Sequence, residues 1–106
     1  MRITVCPLEE LADGEVRVFE HDGVEGIVIR GGDNLYACER YCTHERFPLE
    51  FGEVEDEHLL VCTYHGARFD LRSGKVITPP ATVELKVYDV AEEDGNIVVN
   101  VTEHGE

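Results

Sequence analysis

The sequence carries Cys42-Thr43-His44, a spacer of seventeen residues, and then Cys62-Thr63-Tyr64-His65. Two thiolates and two imidazoles, arranged as a C-x-H pair and a C-x-x-H pair, are a set of four metal ligands. Ligands one or two residues apart can grip one metal centre only where the backbone turns, so both pairs are expected on loops. Gly66, directly after the second pair, would ease that turn because glycine accepts positive φ.

On both sides of these pairs the chain reads as strands. Upstream, Ile3-Thr4-Val5, Val16-Arg17-Val18-Phe19 and Gly26-Ile27-Val28-Ile29-Arg30 are β-branched and bounded by glycine or acidic turns. Leu35-Tyr36-Ala37-Cys38 makes a short strand that delivers the chain to the first pair. His21-Asp22-Gly23 and Gly31-Gly32-Asp33-Asn34 read as hairpin turns, and Leu8 to Ala12 as one helical turn after Pro7, ending at Gly14. Between the pairs, Glu45 to Glu57 reads as an irregular loop packed by its own aromatics, and His58 to Val61 as a strand feeding the second pair. Downstream, Arg68 to Leu71 and Val76-Ile77 flank the turn Arg72-Ser73-Gly74-Lys75. Pro79-Pro80 then interrupts pairing, since proline lacks the ladder N–H. Val83 to Val90 alternates as a strand, and the turn Glu93-Asp94-Gly95-Asn96 leads to a closing strand, Ile97 to Val101. Roughly eight short strands and no long helix predict an all-β fold, an antiparallel sandwich or barrel.

A chain of 106 residues fits one small domain. Nine basic against twenty-three acidic residues give a formal net charge of −14. Such a surface repels nucleic-acid phosphates and anionic membranes, and it favours protein partners that are basic where they touch. No stretch approaches the roughly 18 consecutive apolar residues that span a bilayer. The N-terminus has no long apolar run, so the expected compartment is the cytoplasm. There thiols stay reduced, and four cysteines speak for metal over disulfides.

The two ligand pairs, together with Pro48, His65-Gly66, Phe69-Asp70, Gly74-Lys75-Val76 and Pro79-Pro80, resemble a Rieske-type ferredoxin, of the low-potential soluble kind that serves multicomponent ring-hydroxylating dioxygenases. The resemblance implies one [2Fe–2S] cluster, with Cys42 and Cys62 on the inner iron and His44 and His65 on the outer one. Tyr64, Gly66, Ala67, Phe69, Pro79 and Pro80 would surround it. It also implies a single domain over 1–106, with a cluster-binding subdomain of about residues 40–72 set into a β base of 1–39 and 73–101. The tail, 102–106, is expected to fray. The implied role is a one-electron carrier, not an enzyme in its own right, between a flavoprotein reductase and a terminal oxygenase. The carrier is expected to be monomeric and to meet basic docking patches on those partners.

High-potential relatives add a cysteine to each ligand loop and place a serine and a tyrosine near the cluster sulfurs. Ala67 and Phe69 stand at those two positions here. The resemblance therefore implies a potential near the lower end of the Rieske range, about −150 to +300 mV. Two other readings compete. One is a closed Cys₂His₂ zinc site, although zinc fingers usually pair like with like. The other is an accessory small subunit of a larger oxidoreductase such as nitrite reductase. Cys6 and Cys38, each at the end of an apolar strand, read as core residues. His21, His58 and His104 read as solvated surface residues.

Overall fold

The computed structural model describes residues 1–42, 47–63, 66–78 and 83–101. Ten strands lie within them: β1 (Arg2–Pro7), β2 (Val16–His21), β3 (Val24–Gly31), β4 (Asn34–Glu39), β5 (Glu53–Glu55), β6 (Leu59–Val61), β7 (Arg68–Asp70), β8 (Val76–Thr78), β9 (Val87–Glu93) and β10 (Asn96–Asn100). They form a six-stranded sheet in the order β1-β10-β9-β4-β3-β2 and a four-stranded sheet in the order β5-β6-β7-β8. All the pairings are antiparallel. The fold is all-β, as the strand pattern predicts, and the larger sheet curls into a nearly closed barrel.

Strand β3 explains the packing. Its run Ile27-Val28-Ile29 is apolar at every position, the pattern of a strand covered on both faces. All three side chains are fully buried. Ile27 and Ile29 face a core shared with the smaller sheet, through Leu60 and Phe69. Val28 faces the barrel interior with Ile3, Phe19, Ala37, Ile97 and Val99. Cys38 belongs to the first core and Cys6 to the second, so both behave as small buried hydrophobes, as expected.

The hairpin turns fall where glycine allows them. Asp22-Gly23 and Asp94-Gly95 take positive φ at both central positions, and Gly32 does so ahead of Asp33. The expected helical turn at Leu8 is shorter, a 3₁₀ turn over Leu8–Glu10.

Two expectations need correction. The segment from Glu45 to Glu57 is not all irregular. Leu49–Phe51 makes a 3₁₀ turn and Glu53-Val54-Glu55 is strand β5, paired with β6. Val54 turns toward the core while its two glutamates turn away, so the acidic run hides a period-2 strand. Conversely, the alternating stretch from Val83 enters a strand only at Val87. Before that, the Leu85 amide donates to the Gly74 carbonyl and the Lys86 amide to the Glu39 carboxylate, and only the Lys86 carbonyl, which accepts the Glu39 amide, still reaches β4.

Candidate metal centre

The first ligand loop rises from the end of β4. Its stem has three rungs: the Leu49 amide donates to the Arg40 carbonyl at 2.7 Å, Tyr41 bridges to Pro48, and the Cys42 amide donates to the Phe47 carbonyl at 2.9 Å. Pro48 suits this position because its extended φ of −64° also starts the following 3₁₀ turn. The second ligand loop continues the β6–β7 hairpin. Beyond the pair Val61 and Arg68, the Cys62 amide donates to the Ala67 carbonyl at 2.8 Å, and the Gly66 amide returns to the Cys62 carbonyl at 2.8 Å. Gly66 has φ +80°, a conformation that side chains other than glycine's resist.

The two cysteines therefore occupy matching positions, each sending its amide to the carbonyl five residues on. Both are almost fully buried and belong to one apolar core with Cys38, Leu49, Leu60, Ala67 and Phe69. A side-chain contact joins the loops, the Thr63 hydroxyl to the Phe51 carbonyl at 3.4 Å. Phe51 in turn meets Phe47 edge to face, which bears out part of the expected aromatic packing. His44, Tyr64, His65, Pro79 and Pro80, expected at the site from the sequence, lie outside the described residues. Ala67 and Phe69 are buried beside the cysteines.

All four cysteines are thiols rather than disulfide halves. Burial pushes the Cys38 thiol far above its ordinary range, with the nearby Glu39 charge adding to the effect, so Cys38 stays neutral and belongs to the packing. Cys42 and Cys62 differ from it by their place on turning loops one residue beyond regular pairing. A buried thiolate in apolar surroundings is costly unless a cation shares the site. Two such thiols, one from each loop and sharing one apolar core, suit a single iron of an iron–sulfur cluster.

The charged groups around the first loop were not legible in the sequence. Arg40 forks onto Glu50, with Nε 3.1 and 3.2 Å from the two carboxylate oxygens and Nη2 2.7 Å from Oε2. Its Nη1 lies 2.6 Å from Oε1 of Glu25 on β3, which also accepts the Tyr41 hydroxyl at 3.1 Å. The hydrogen bond from Arg40 holds the Glu50 carboxyl below its ordinary range, against partial desolvation. Near the second loop, Arg68 pairs with Glu55 at 3.0 Å. The remaining acidic residues of that run point elsewhere: Asp56 and Glu57 form the β5–β6 turn, and Glu57 lies against Gly31 and Gly32.

A small all-β domain with paired cysteines on two adjoining loops is an iron–sulfur architecture. The family model for the Rieske [2Fe-2S] domain matches residues 1–89, and the chain belongs to that family. It is 36% identical over 102 residues to the 3-phenylpropionate/cinnamic acid dioxygenase ferredoxin subunit of Photorhabdus laumondii subsp. laumondii, covering 96% of each chain. Among solved structures it is similar to the ferredoxin of carbazole 1,9a-dioxygenase from Nocardioides aromaticivorans IC177, with TM-score 0.86, 32% identity and coverage of 93% of this chain and 96% of that one. A ferredoxin in complex with the oxygenase of carbazole 1,9a-dioxygenase gives TM-score 0.86 at 31% identity, covering 92% of this chain and 91% of that one. The cofactor is accordingly one [2Fe–2S] cluster per chain. No helix among the described residues is long and apolar enough to cross a membrane.

Proposed function

We propose that this chain carries single electrons from a flavoprotein reductase to a terminal oxygenase of the ring-hydroxylating kind. The observation that carries the reading is the matched placement of Cys42 and Cys62, two buried thiols on adjoining loops of a Rieske fold. In this reading Cys42 and Cys62 hold the inner iron, and His44 and His65 hold the outer one. The cluster supplies a reversible one-electron couple. The chain's own part is to bury the thiol side, to fix both loops, and to leave the imidazole side toward a partner. The cluster-binding unit spans about residues 40–72, on a base formed by 1–39 and 73–101. The carrier works as a monomer in the cytoplasm. The ferredoxin subunits among its relatives favour the carrier over an accessory subunit of nitrite reductase, and the match to the Rieske [2Fe-2S] domain favours iron over a closed zinc site.

Three large hydrophobics are exposed among the described residues and are candidates for partner contact. Phe51 (65% exposed) follows the first loop, and Ile77 (52%) and Val83 (61%) flank residues 79–82. Glu53 and Glu84, both exposed, stand beside them. An apolar contact rimmed by carboxylates suits partners with basic patches.

Metal and sulfide analysis of the purified chain should find two irons and two acid-labile sulfides, and reductase with reduced nicotinamide should bleach the cluster until oxygenase is added. Stoichiometric zinc without sulfide would sink the reading. Replacing His44 or His65 with Ala should remove the normal cluster. Reduction and reoxidation should slow as salt rises, because charges are screened beyond about 8 Å at physiological ionic strength. A salt-independent rate would refute the acidic docking.

A further inference from the structure

We propose that Arg40 is a positioning residue for the cluster, fixing the first ligand loop through its side chain where strand pairing fixes the second. The proposal rests on the reading of Cys42 and Cys62 as ligands.

The two stems differ in what holds them. The second loop continues a hairpin whose ladder runs through Leu59 with Asp70, Leu60 with Phe69 and Val61 with Arg68. The first loop has no such ladder. The pairing of β4 with β3 ends at Glu39 opposite Gly26, and beyond it the stem has only the rungs at Arg40, Tyr41 and Cys42. One of those rungs involves Pro48, which has no N–H to give. On the descending side the chain passes straight into the 3₁₀ turn Leu49–Phe51, and strand pairing resumes only at Glu53.

Arg40 makes good that deficit. Its guanidinium, carried by the ascending stem, touches two other segments at once: Glu50 on the descending side and Glu25 on β3 of the base. A planar fork bonded bidentately to one carboxylate and singly to another fixes direction as well as distance. Tyr41 adds a second tie to the same Glu25 oxygen, and Arg40 lies 5.4 Å over the Tyr41 ring. The pair is largely shielded, with side-chain exposures of 27% for Arg40 and 14% for Glu50, so water competes weakly for it. Tilting the first loop against the base requires this clamp to open.

The test is amide hydrogen exchange, followed by mass spectrometry, on the full purified chain. In Arg40→Met and in Glu50→Gln the amides of residues 40–49 should exchange about tenfold faster or more, while those of residues 59–70 keep the wild-type rate. Release of iron to a chelator should accelerate by about the same factor. Arg40→Lys keeps the charge but loses the fork, and should recover only part of either effect. Arg72→Met breaks an arginine–carboxylate pair in the β7–β8 turn and serves as the control; it should leave residues 40–49 at the wild-type rate. Wild-type exchange over 40–49 in both Arg40→Met and Glu50→Gln overturns the proposal. So does equal acceleration in both segments, or the same acceleration in Arg72→Met. If Arg40→Met does not fold, Glu50→Gln and Glu25→Gln decide by the same criteria. A wild-type chain that holds no iron or sulfide refutes the ligand reading and leaves the exchange comparison standing.

Discussion

The loop after Cys42 and the loop after Cys62 close alike, each by a cysteine amide donating to the carbonyl five residues on, but they stand on different supports. The second is the tip of a β-hairpin and borrows the rigidity of the four-stranded sheet. The first is a short stem held to the barrel by the guanidinium of Arg40. Under the proposed ligand set, a cofactor that needs four atoms from two loops constrains where those atoms end up, and is indifferent to how each loop is secured. Backbone ladders answer little to salt and pH, whereas an ion-pair clamp answers to both.

The largest expected effect treats the loops as equals. Cys42→Ser and Cys62→Ser should each leave a chain without its cluster, seen as loss of sulfide and of visible colour. If one variant kept a full cluster, the symmetry of the two cysteines would be broken.

A smaller effect separates the supports. Gly52 follows the first loop's 3₁₀ turn, and a methyl group there would overlap the Val61 carbonyl at the base of the second loop. Gly52→Ala should therefore cost about 3 kcal/mol through forced displacement of backbone. Gly66→Ala meets nothing within 4 Å among the described residues and adds the strain of φ +80°, about 1 kcal/mol. Thermal unfolding of the two variants orders them. A larger loss at Gly66 would mean that the second hairpin is the weaker support.

The third concerns the potential. Ala67 and Phe69 both lie on the second loop's side of the core. Ala67→Ser and Phe69→Tyr should raise the potential, each by on the order of 60 mV, the tenfold step of a one-electron couple, wherever the new hydroxyl reaches sulfur. Voltammetry on both variants checks this, and a wild-type value well above zero would count against a low-potential carrier.

The smallest effect is on acid stability. Arg40 holds the Glu50 carboxyl below the unfolded carboxylate value of about 4.3. A lowered folded pKa stabilises above the unfolded value and loses that contribution as pH falls through the folded one. Unfolding temperatures measured from pH 6 down to 3 should fall less steeply in Glu50→Gln than in wild type. Equal slopes would show that the clamp carries no linked charge.

The legible parts of the sequence were those with a local signature. Asp22-Gly23 and Asp94-Gly95 announce turns because their φ angles demand such residues, and the β-branched run Ile27-Val28-Ile29 announces a strand. The spacing of Cys42 and Cys62 from their histidine neighbours pointed to two loops, and the structure places the two cysteines at matching positions on adjoining loops. What stayed hidden depends on partners distant in sequence. Glu53-Val54-Glu55 looked like an acidic loop because only its neighbour β6 makes Val54 an inward residue. Val83 to Lys86 looked like strand because alternation continues where the backbone bonds to Gly74 and Glu39 instead. The Arg40 clamp draws Glu25 from another hairpin, a pairing that no local pattern encodes.

Strand β3 gives the molecule its cooperativity. Since Ile27 and Ile29 complete one apolar core and Val28 the other, loss of either core disturbs the strand that the other packs on. Heat should therefore dissolve both in one step, with calorimetric and van't Hoff enthalpies in agreement. The cofactor would then leave in the same transition that opens the barrel, and fading of the visible colour would serve as a thermometer for the whole fold.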